Sequence, residues 1–328
     1  MSTPQQMTVS VTGATGFVGR YVVRALLGQG HAVRALVRDP AKASSVLPSD
    51  GVTRVVGDVF ESAAVRDLVD GADAVVHTIG IRREVPPEIT FARLHTEATR
   101  RVLDAAVGQG VRRWVQVSAL GVRPGAPAAY YRSKYASEQL VRGSGLEWTI
   151  LRPSLIHGHD GELIGMIRDW SLGRAAPRFF IPYFTRPEFG EGSPPKPPTL
   201  VSPMIAPVAV EDVAAMACAA IERSEAVGEI YPLAGPDEID WPTLLSTVRD
   251  AIPLADERKK IIGVPAHAAL GMAHAAGALG LSQALPFGTS EPVMAMEDSV
   301  ASTVKAREHL GFEPRPFAST VAAYADRI

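Results

Sequence analysis

The stretch "TGATGFVGRYVVRALLGQGHAV", residues 12–33, decides how the rest of the chain is read. Gly13, Gly16 and Gly19 recur at every third position between the apolar run "MTVSVT" and an amphipathic stretch. Glycine accepts tight turns and lets other groups approach the backbone, so the spacing predicts a strand that turns straight into a helix. The first amides of that helix carry partial positive charge, and an anion such as a pyrophosphate is the expected guest. A glycine pattern alone is weak evidence; the strand before it and the helix after it supply the context it needs.

Outward from this joint, short β-type runs alternate with helical patterns. "HAVRALVR", "VTRVVGD", "ADAVVHTIG" and "VRRWVQVSA" end at Arg38, Asp58, Gly80 and Ala119. "SAAVRDLVDG" and "FARLHTEATRRVLDAAVGQG" place apolar residues three and four apart and stop at glycine. "LEWTILRP" adds a sixth strand near Arg152. The alternation predicts an α/β chain: a doubly wound parallel sheet of Rossmann type over residues 1–155, with a smaller mixed substrate lobe over 156–328. Nine of the 26 prolines fall between Pro177 and Pro207, around "GEGSPPKPP". That density predicts a long surface loop over 177–207, either a lid or disordered. "APVAVEDVAAMACAAIE" predicts a strand and helix near 207–222 that return to the core.

Composition narrows the partners. The chain has 328 residues, 46% of them hydrophobic, and a formal net charge of −2, so no basic field calls for nucleic acid. A single cysteine, Cys218, excludes an internal disulfide and a cysteine-built zinc site and reads as core packing. The eight histidines show no metal-ligand spacing. The nearest cluster, "HGHD" at 157–160, reads as a loop beside the ligand pocket, so no metal is expected. The first residues lack an export-signal pattern, and a cytoplasmic location is expected. No stretch reaches the roughly 18 apolar residues of a membrane span. "AALGMAHAAGALGL", residues 268–281, reads as a buried helix, with a helix resting on a membrane surface as the alternative. Nothing in the sequence sets the oligomeric state.

Charge at the end of the second β-run selects the dinucleotide: an acid there would bond the ribose of NAD, an arginine the extra phosphate of NADP. Arg38 stands at that end and Arg34 earlier, with Asp39 complicating the choice; NADP is expected, NAD is the alternative. Asp58 ends the third run, placed either for an adenine edge or as a helix cap. Further on, Tyr130 and Lys134 are four apart in "AAYYRSKYASEQL", so they share a helix face. An ammonium beside a phenol stabilises the phenolate, and the expectation is a lowered Tyr130 pKa and a usable acid/base. Tyr131 and Tyr135 have no lysine four residues on. Ser118 ends the fifth strand, at the sheet edge where open α/β folds bind ligands, and could hold a substrate oxygen.

"TGATGFVGR", "GDV", "VSALGV", "YYRSKYASEQLVRGSGLEWTILRPSLIHG" and "APVAVEDVA" together resemble the short-chain dehydrogenase/reductase superfamily, in its extended and atypical, epimerase/dehydratase-like branches. "RLHTEATRRVLDAA" and "LGFEPRPF" resemble the group related to the accessory dehydrogenase-like subunit of respiratory complex I. The resemblance implies that Gly13, Gly16 and Gly19 cradle the pyrophosphate, with Thr15, Phe17 and Val18 lining the loop. It implies that Arg38 meets the adenosine ribose or its phosphate, and that Asp58 and Val59 flank adenine. Thr78, Ile79 and Gly80 would border the ribose. Lys134 would bind the nicotinamide ribose, Tyr130 would be the acid/base, and Pro153 and Ser154 would face the carboxamide. Nucleotide-sugar epimerases of the superfamily usually carry asparagine where this chain has His95, which reads here as a packing residue. Three functions remain: a reductase or dehydrogenase acting on a small, hydrophobic substrate; a dinucleotide-binding sensor or assembly subunit without turnover; and an epimerase or dehydratase.

Overall fold

The computed structural model describes residues 6–190, 197–281 and 285–328. Strand β1 (Thr8–Thr12) is buried along nearly its whole length and turns through the glycines into α1 (Phe17–Gly28). The same unit then repeats. β2 (Ala32–Val37) leads to α2 (Pro40–Val46), and β3 (Val52–Val56) to α3 (Ser62–Val69). β4 (Ala74–His77) is followed by a π-helical turn at Ala92–Glu97 that continues as α4 (Ala98–Gly108). β5 (Arg113–Val117), α5 (Ala129–Arg142) and β6 (Glu147–Pro153) complete the series.

Past β6 the chain leaves the sheet through β7 (Ile156–His157), α6 (Glu162–Ser171), β8 (Phe180–Glu188), β9 (Thr199–Val201) and β10 (Met204–Ile205). It returns with β11 (Val208–Ala209), α7 (Val210–Glu222) and β12 (Glu229–Leu233). The last part comprises β13 (Ile239–Asp240), α8 (Trp241–Ala251), β14 (Lys260–Pro265), α9 (Ala266–Ala278), α10 (Ser290–Met294), α11 (Val304–Leu310) and α12 (Phe317–Tyr324).

The main sheet runs β3-β2-β1-β4-β5-β6-β12, with every neighbouring pair parallel. The winding reverses between β1 and β4, which opens a crevice at their carboxyl ends. Central strands covered on both faces are mostly apolar; β4 and β5 are buried throughout, and their polar residues His77, Arg113 and Gln116 are hydrogen-bonded within the core. One face is filled by α1 and α7 through Val22, Leu26, Met216 and Cys218, whose thiol burial pushes up to about 12. The other carries Leu68, Val102 and Trp114 under α3, α4 and α5. A separate core of Ile164, Leu244, Val248 and Phe317 holds α6, α8 and α12 together.

Three features differ from the sequence reading. The seventh strand, β12, contains Pro232, which an edge strand tolerates because one side of its ladder is open. The proline-rich stretch is not one long loop: β8 occupies nine of its residues, with β9 and β10 further along. β8 pairs with β14 over Phe180–Thr185 and with β9 over Arg186–Glu188. Each half therefore has a single partner strand, and Pro182 and Pro187 lose no ladder bond on the other side. Residues 191–196, in the middle of "GEGSPPKPP", lie outside the described residues. Finally, α9 is a surface helix. It buries Ala266, Ala269 and Ala273, while Met272 is 48% exposed. No helix among the described residues is long and apolar enough to cross a membrane.

Three buried histidines couple this core to pH. Burial, followed by the charge of Lys134, lowers His77 to about 3 and His95 to about 2; burial, followed by Arg315, lowers His157 to about 4. All three stay neutral in the folded chain near pH 6 and take up protons only on unfolding. Folding stability is therefore full above about pH 6.5 and falls as pH drops below it. Urea denaturation between pH 8 and pH 4.5 should show a slope approaching three protons below pH 6; a flat profile down to pH 5 would contradict this burial.

Candidate functional site

The glycine joint sits at the carboxyl end of β1, beside the reversal point. Gly13 has φ +71°, a region that costs other residues strain, and a Cβ there would lie 2.7 Å from Thr78 Oγ1. Gly16 N–H donates to Gly13 O at 2.8 Å and closes the turn. A Cβ on Gly19 would collide with the Gly13 carbonyl and lie 2.9 Å from Ala14 Cα. No side chain caps α1 and no acid occupies its first turn. Bare amides, a positive helix end and an exposed Gly16 fit a diphosphate. Thr15, Phe17 and Val18 border the turn, each half-buried. The "HGHD" loop lies on Phe17, since Cβ atoms on Gly158 and Gly161 would come 3.2 and 2.9 Å from Phe17 Cζ. Asp160 fastens it, accepting from Tyr21 Oη at 2.9 Å and pairing with Arg20 at 2.7 Å. Burial works against ionisation of Asp160, but Tyr21 and Arg20 outweigh it and hold the carboxyl below its usual range.

At the carboxyl ends of β2 and β3 the charges divide. Asp39 caps α2, accepting from Ala41 N at 2.9 Å and Lys42 N at 3.0 Å. Arg34 is held by Leu68 O and Asp67. Arg38 extends into solvent, 75% exposed and 3.8 Å from Asp58. Asp58 accepts from Phe60 N at 3.0 Å, so it braces the turn before α3, and Val59 is buried in the core beside it.

Across the crevice, Thr78 Oγ1 donates to Thr12 O at 2.8 Å and ties the ends of β1 and β4. Ile79 and exposed Gly80 follow. Lys134 lies beneath them: a Cβ on Gly80 would sit 2.9 Å from its Nζ, which donates to Val117 O at 3.2 Å. Burial pulls this lysine down to about 8, with Glu138 working against the fall. Tyr130 stands one turn earlier on α5, its ring edge-on to Phe91 and His95 at 5.8 and 5.3 Å. Here the structure corrects an expectation. Burial among aromatic rings pushes Tyr130 up to about 12, and the cation opposing that rise is Arg82 rather than Lys134.

Ser118 also differs from expectation: its Oγ donates to buried Glu138 at 2.5 Å, and Glu138 in turn pairs with Arg152 at 2.5 Å. Pro153 is buried, and Ser154 Oγ bonds Ser299 O at 2.7 Å. His95 is fully engaged. Ile81 N–H donates to its Nε2 at 3.0 Å, and Nδ1 meets Ser133 Oγ at 2.8 Å. Ser133 Oγ donates to Tyr130 O at 2.7 Å, so the histidine fixes the start of α5 against the 81 loop. It sits in the π-helical turn, a common device for aiming side chains at a site. Glu138, Arg152, Arg82 and Glu291 escaped the sequence reading because their partners lie far along the chain; Arg82 bonds Glu291 at 3.1 Å. Phe91, Arg83, Ala273, His274, Phe287 and Glu291 line a cavity of about 220 Å³ next to Tyr130's aromatic neighbours. Among the described residues no group of histidine, cysteine or carboxylate side chains could hold a metal.

A family model described as NAD(P)H-binding matches residues 13–169. The chain is 34% identical over 251 residues to a 3-diazoavenalumate denitrifying reductase of a Streptomyces species, covering 69% of this chain and 75% of that protein. The chain belongs to the NAD(P)-binding short-chain dehydrogenase/reductase superfamily. It is 35% identical over 170 residues to a ceramide reductase of Caulobacter vibrioides, covering 51% of this chain and 52% of that protein. It is 28% identical over 251 residues to subunit 9 of the mitochondrial NADH dehydrogenase alpha subcomplex of Arabidopsis thaliana, covering 75% and 58%. The chain thus spans about half the length of the curated relatives it first matches. Its fold is that of a superfamily member from Agrobacterium tumefaciens solved with bound NAD (TM-score 0.64, 23% identity, 98% and 97% covered). The NADPH-dependent quinone oxidoreductase of Escherichia coli, solved with NADPH, shares it too (0.69, 20%, 97% and 99%).

Glu138 joins the serine to the arginine in a site where it is 0% exposed. Glu138→Ala leaves both partners without their acceptor and should cost on the order of 3 kcal/mol in urea denaturation, against about 1 kcal/mol for Ser118→Ala. Equal costs would contradict a buried network centred on the carboxylate.

Proposed function

We propose that the protein is an NADP-dependent reductase of a small, largely apolar carbonyl compound, with Tyr130 as the proton donor. One observation carries this: Gly80, His95, Tyr130 and Lys134 are contiguous, and Tyr130 adjoins Phe91 of the cavity wall. The amides after Gly16 would hold the diphosphate, and Lys134 would reach the ribose next to the nicotinamide. The capping role of Asp39 removes the acid that would favour NAD and supports NADP at Arg38. When bound, the nicotinamide supplies a hydride to the carbonyl carbon. Tyr130 gives its phenolic proton to the carbonyl oxygen, so that the product is the alcohol. A phenol raised to about 12 holds its proton at neutral pH, the state reduction needs, and as a weaker acid than a free phenol it depends on a nearby cation to release that proton; Arg82 works in that direction. Phe91, Ala273 and Phe287 favour an apolar substrate body. A ceramide reductase among the relatives supports the same direction.

A second reading is a dinucleotide-binding subunit without turnover. The commitment of Ser118 to Glu138 favours it, because that hydroxyl is engaged within the protein. Mass analysis of retained dinucleotide, followed by a carbonyl-substrate screen read through nicotinamide absorbance, tests the reductase. Tyr130→Phe should then lower kcat at least 100-fold and leave the Kd for NADPH within about twofold. An active Tyr130→Phe protein, or no turnover of any carbonyl, would contradict the proposal.

Two further outcomes follow from the charges. Arg38→Glu should weaken NADPH binding by about tenfold or more while leaving NADH nearly unchanged, read by fluorescence titration. Loss of both, or neither, would overturn the NADP assignment. Lys134 is charged below about pH 8, so the reductase rate should be level there and fall with unit slope above it. A rate that stays level to pH 10 would exclude Lys134 from the site.

A further inference from the structure

The lobe built from β8, β9, β14 and α9 is unusually apolar where it meets solvent. From Ile261 to Ser290 the chain runs 30 residues without one Asp, Glu, Lys or Arg. Fifteen large hydrophobic side chains are exposed among the described residues. Eight of them belong to this lobe or its approach: Phe179, Phe189, Leu200, Leu254, Ile262, Met272, Leu279 and Leu281. Two stand almost free of the protein, Leu254 at 97% and Phe179 at 89% exposure. Leu254 has φ +66°, a backbone region that costs a leucine strain, so folding holds a large apolar side chain out at an unfavourable position.

These side chains have cationic neighbours. Phe180 pairs with Lys260, so Phe179 and Lys260 stand at the same end of the β8–β14 pair. Arg178 precedes Phe179, and Arg258 and Lys260 follow the Leu254 turn; all three are exposed. Asp256 accepts from Arg258 N at 3.0 Å within that turn, while Glu257 is exposed. Residues 172–190 and 254–290 together carry three more basic than acidic side chains in a chain of net charge −2. Lone apolar side chains beside cations suit an interface whose interior is hydrocarbon and whose surface is anionic.

We propose that this tip docks the protein on an anionic lipid bilayer, with Phe179 and Leu254 entering the headgroup boundary and Arg178, Arg258 and Lys260 meeting lipid phosphates. α9 belongs to the same lobe and lines the cavity through Ala273, His274 and Gly277; the cavity's Phe287 packs on Phe184, at the other end of the β8–β14 pair from Phe179. The docking stands whether or not the protein turns over a carbonyl.

The test is co-sedimentation of the full chain with phosphatidylcholine vesicles, with and without phosphatidylglycerol. At about 1 kcal/mol per basic residue, three cations should favour the anionic vesicles by on the order of 100-fold at low salt. Arg178→Glu with Lys260→Glu should remove at least tenfold of that preference. Phe179→Ser and Leu254→Gly should each weaken binding severalfold. Leu254→Gly relieves the strained φ, so its Tm should hold or rise, which separates lost docking from lost folding. The proposal is overturned if the wild-type chain stays in the supernatant with anionic vesicles, or if the two apolar variants sediment like wild type. It is also overturned if light scattering shows a wild-type dimer that these variants dissociate, since a second copy would then cover the tip.

Discussion

The structure depends on unshielded amides at the start of α1. Four N–H groups of a helix's first turn have no partner within the helix, and here no side chain supplies one. That arrangement is unfavourable unless water or an anion completes it, and it lies where the sheet reverses direction between β1 and β4. The three glycines make it sterically feasible. Gly13 takes the left-handed turn, and Gly19 has no room for a Cβ against the Gly13 carbonyl. The neighbouring features serve the same edge. Thr78 ties the two strand ends, Asp160 fastens a loop over Phe17, and Lys134 rises beneath Gly80.

The second half of the site rests on buried polar order. His95 sits neutral between the 81 loop and Ser133 and thereby fixes Tyr130. Glu138 draws together Ser118 and Arg152 below the carboxyl ends of the strands. Charges of this kind are costly without partners, and here each has one. Phe91, which meets Tyr130 edge-on, also belongs to the wall of the cavity, and α9 supplies another part of that wall from a different lobe.

Much of this was legible in the sequence for physical reasons. β-type runs alternate with helical patterns that stop at glycine, so six strands and the helices α1, α3 and α4 are legible, while the short α2 is not. Gly13, Gly16, Gly19 and Lys134 lie where that pattern puts them. What failed depended on contacts far apart along the chain. Proline density hid β8, because the sequence does not say that each half of a strand will have only one neighbour. Tyr130 and Lys134 share a helix face, yet burial governs the phenol more than the ammonium does. Ser118 reaches the expected strand end but faces an acid twenty residues on. Alanine and glycine in α9 suggested burial, whereas small residues also line a helix that touches its lobe along one narrow stripe.

The central claim is that the amides after Gly16 hold the diphosphate of a nicotinamide dinucleotide. Isothermal titration with NADPH tests it most directly, on the wild-type chain and on Gly19→Val, whose Cβ would displace the Gly13 carbonyl from the turn. The account predicts micromolar or tighter binding to the wild type and a loss of at least 100-fold in a variant that still unfolds cooperatively. Wild-type protein that binds neither NADPH nor NADH, or a Gly19→Val protein that binds as tightly as wild type, would contradict it.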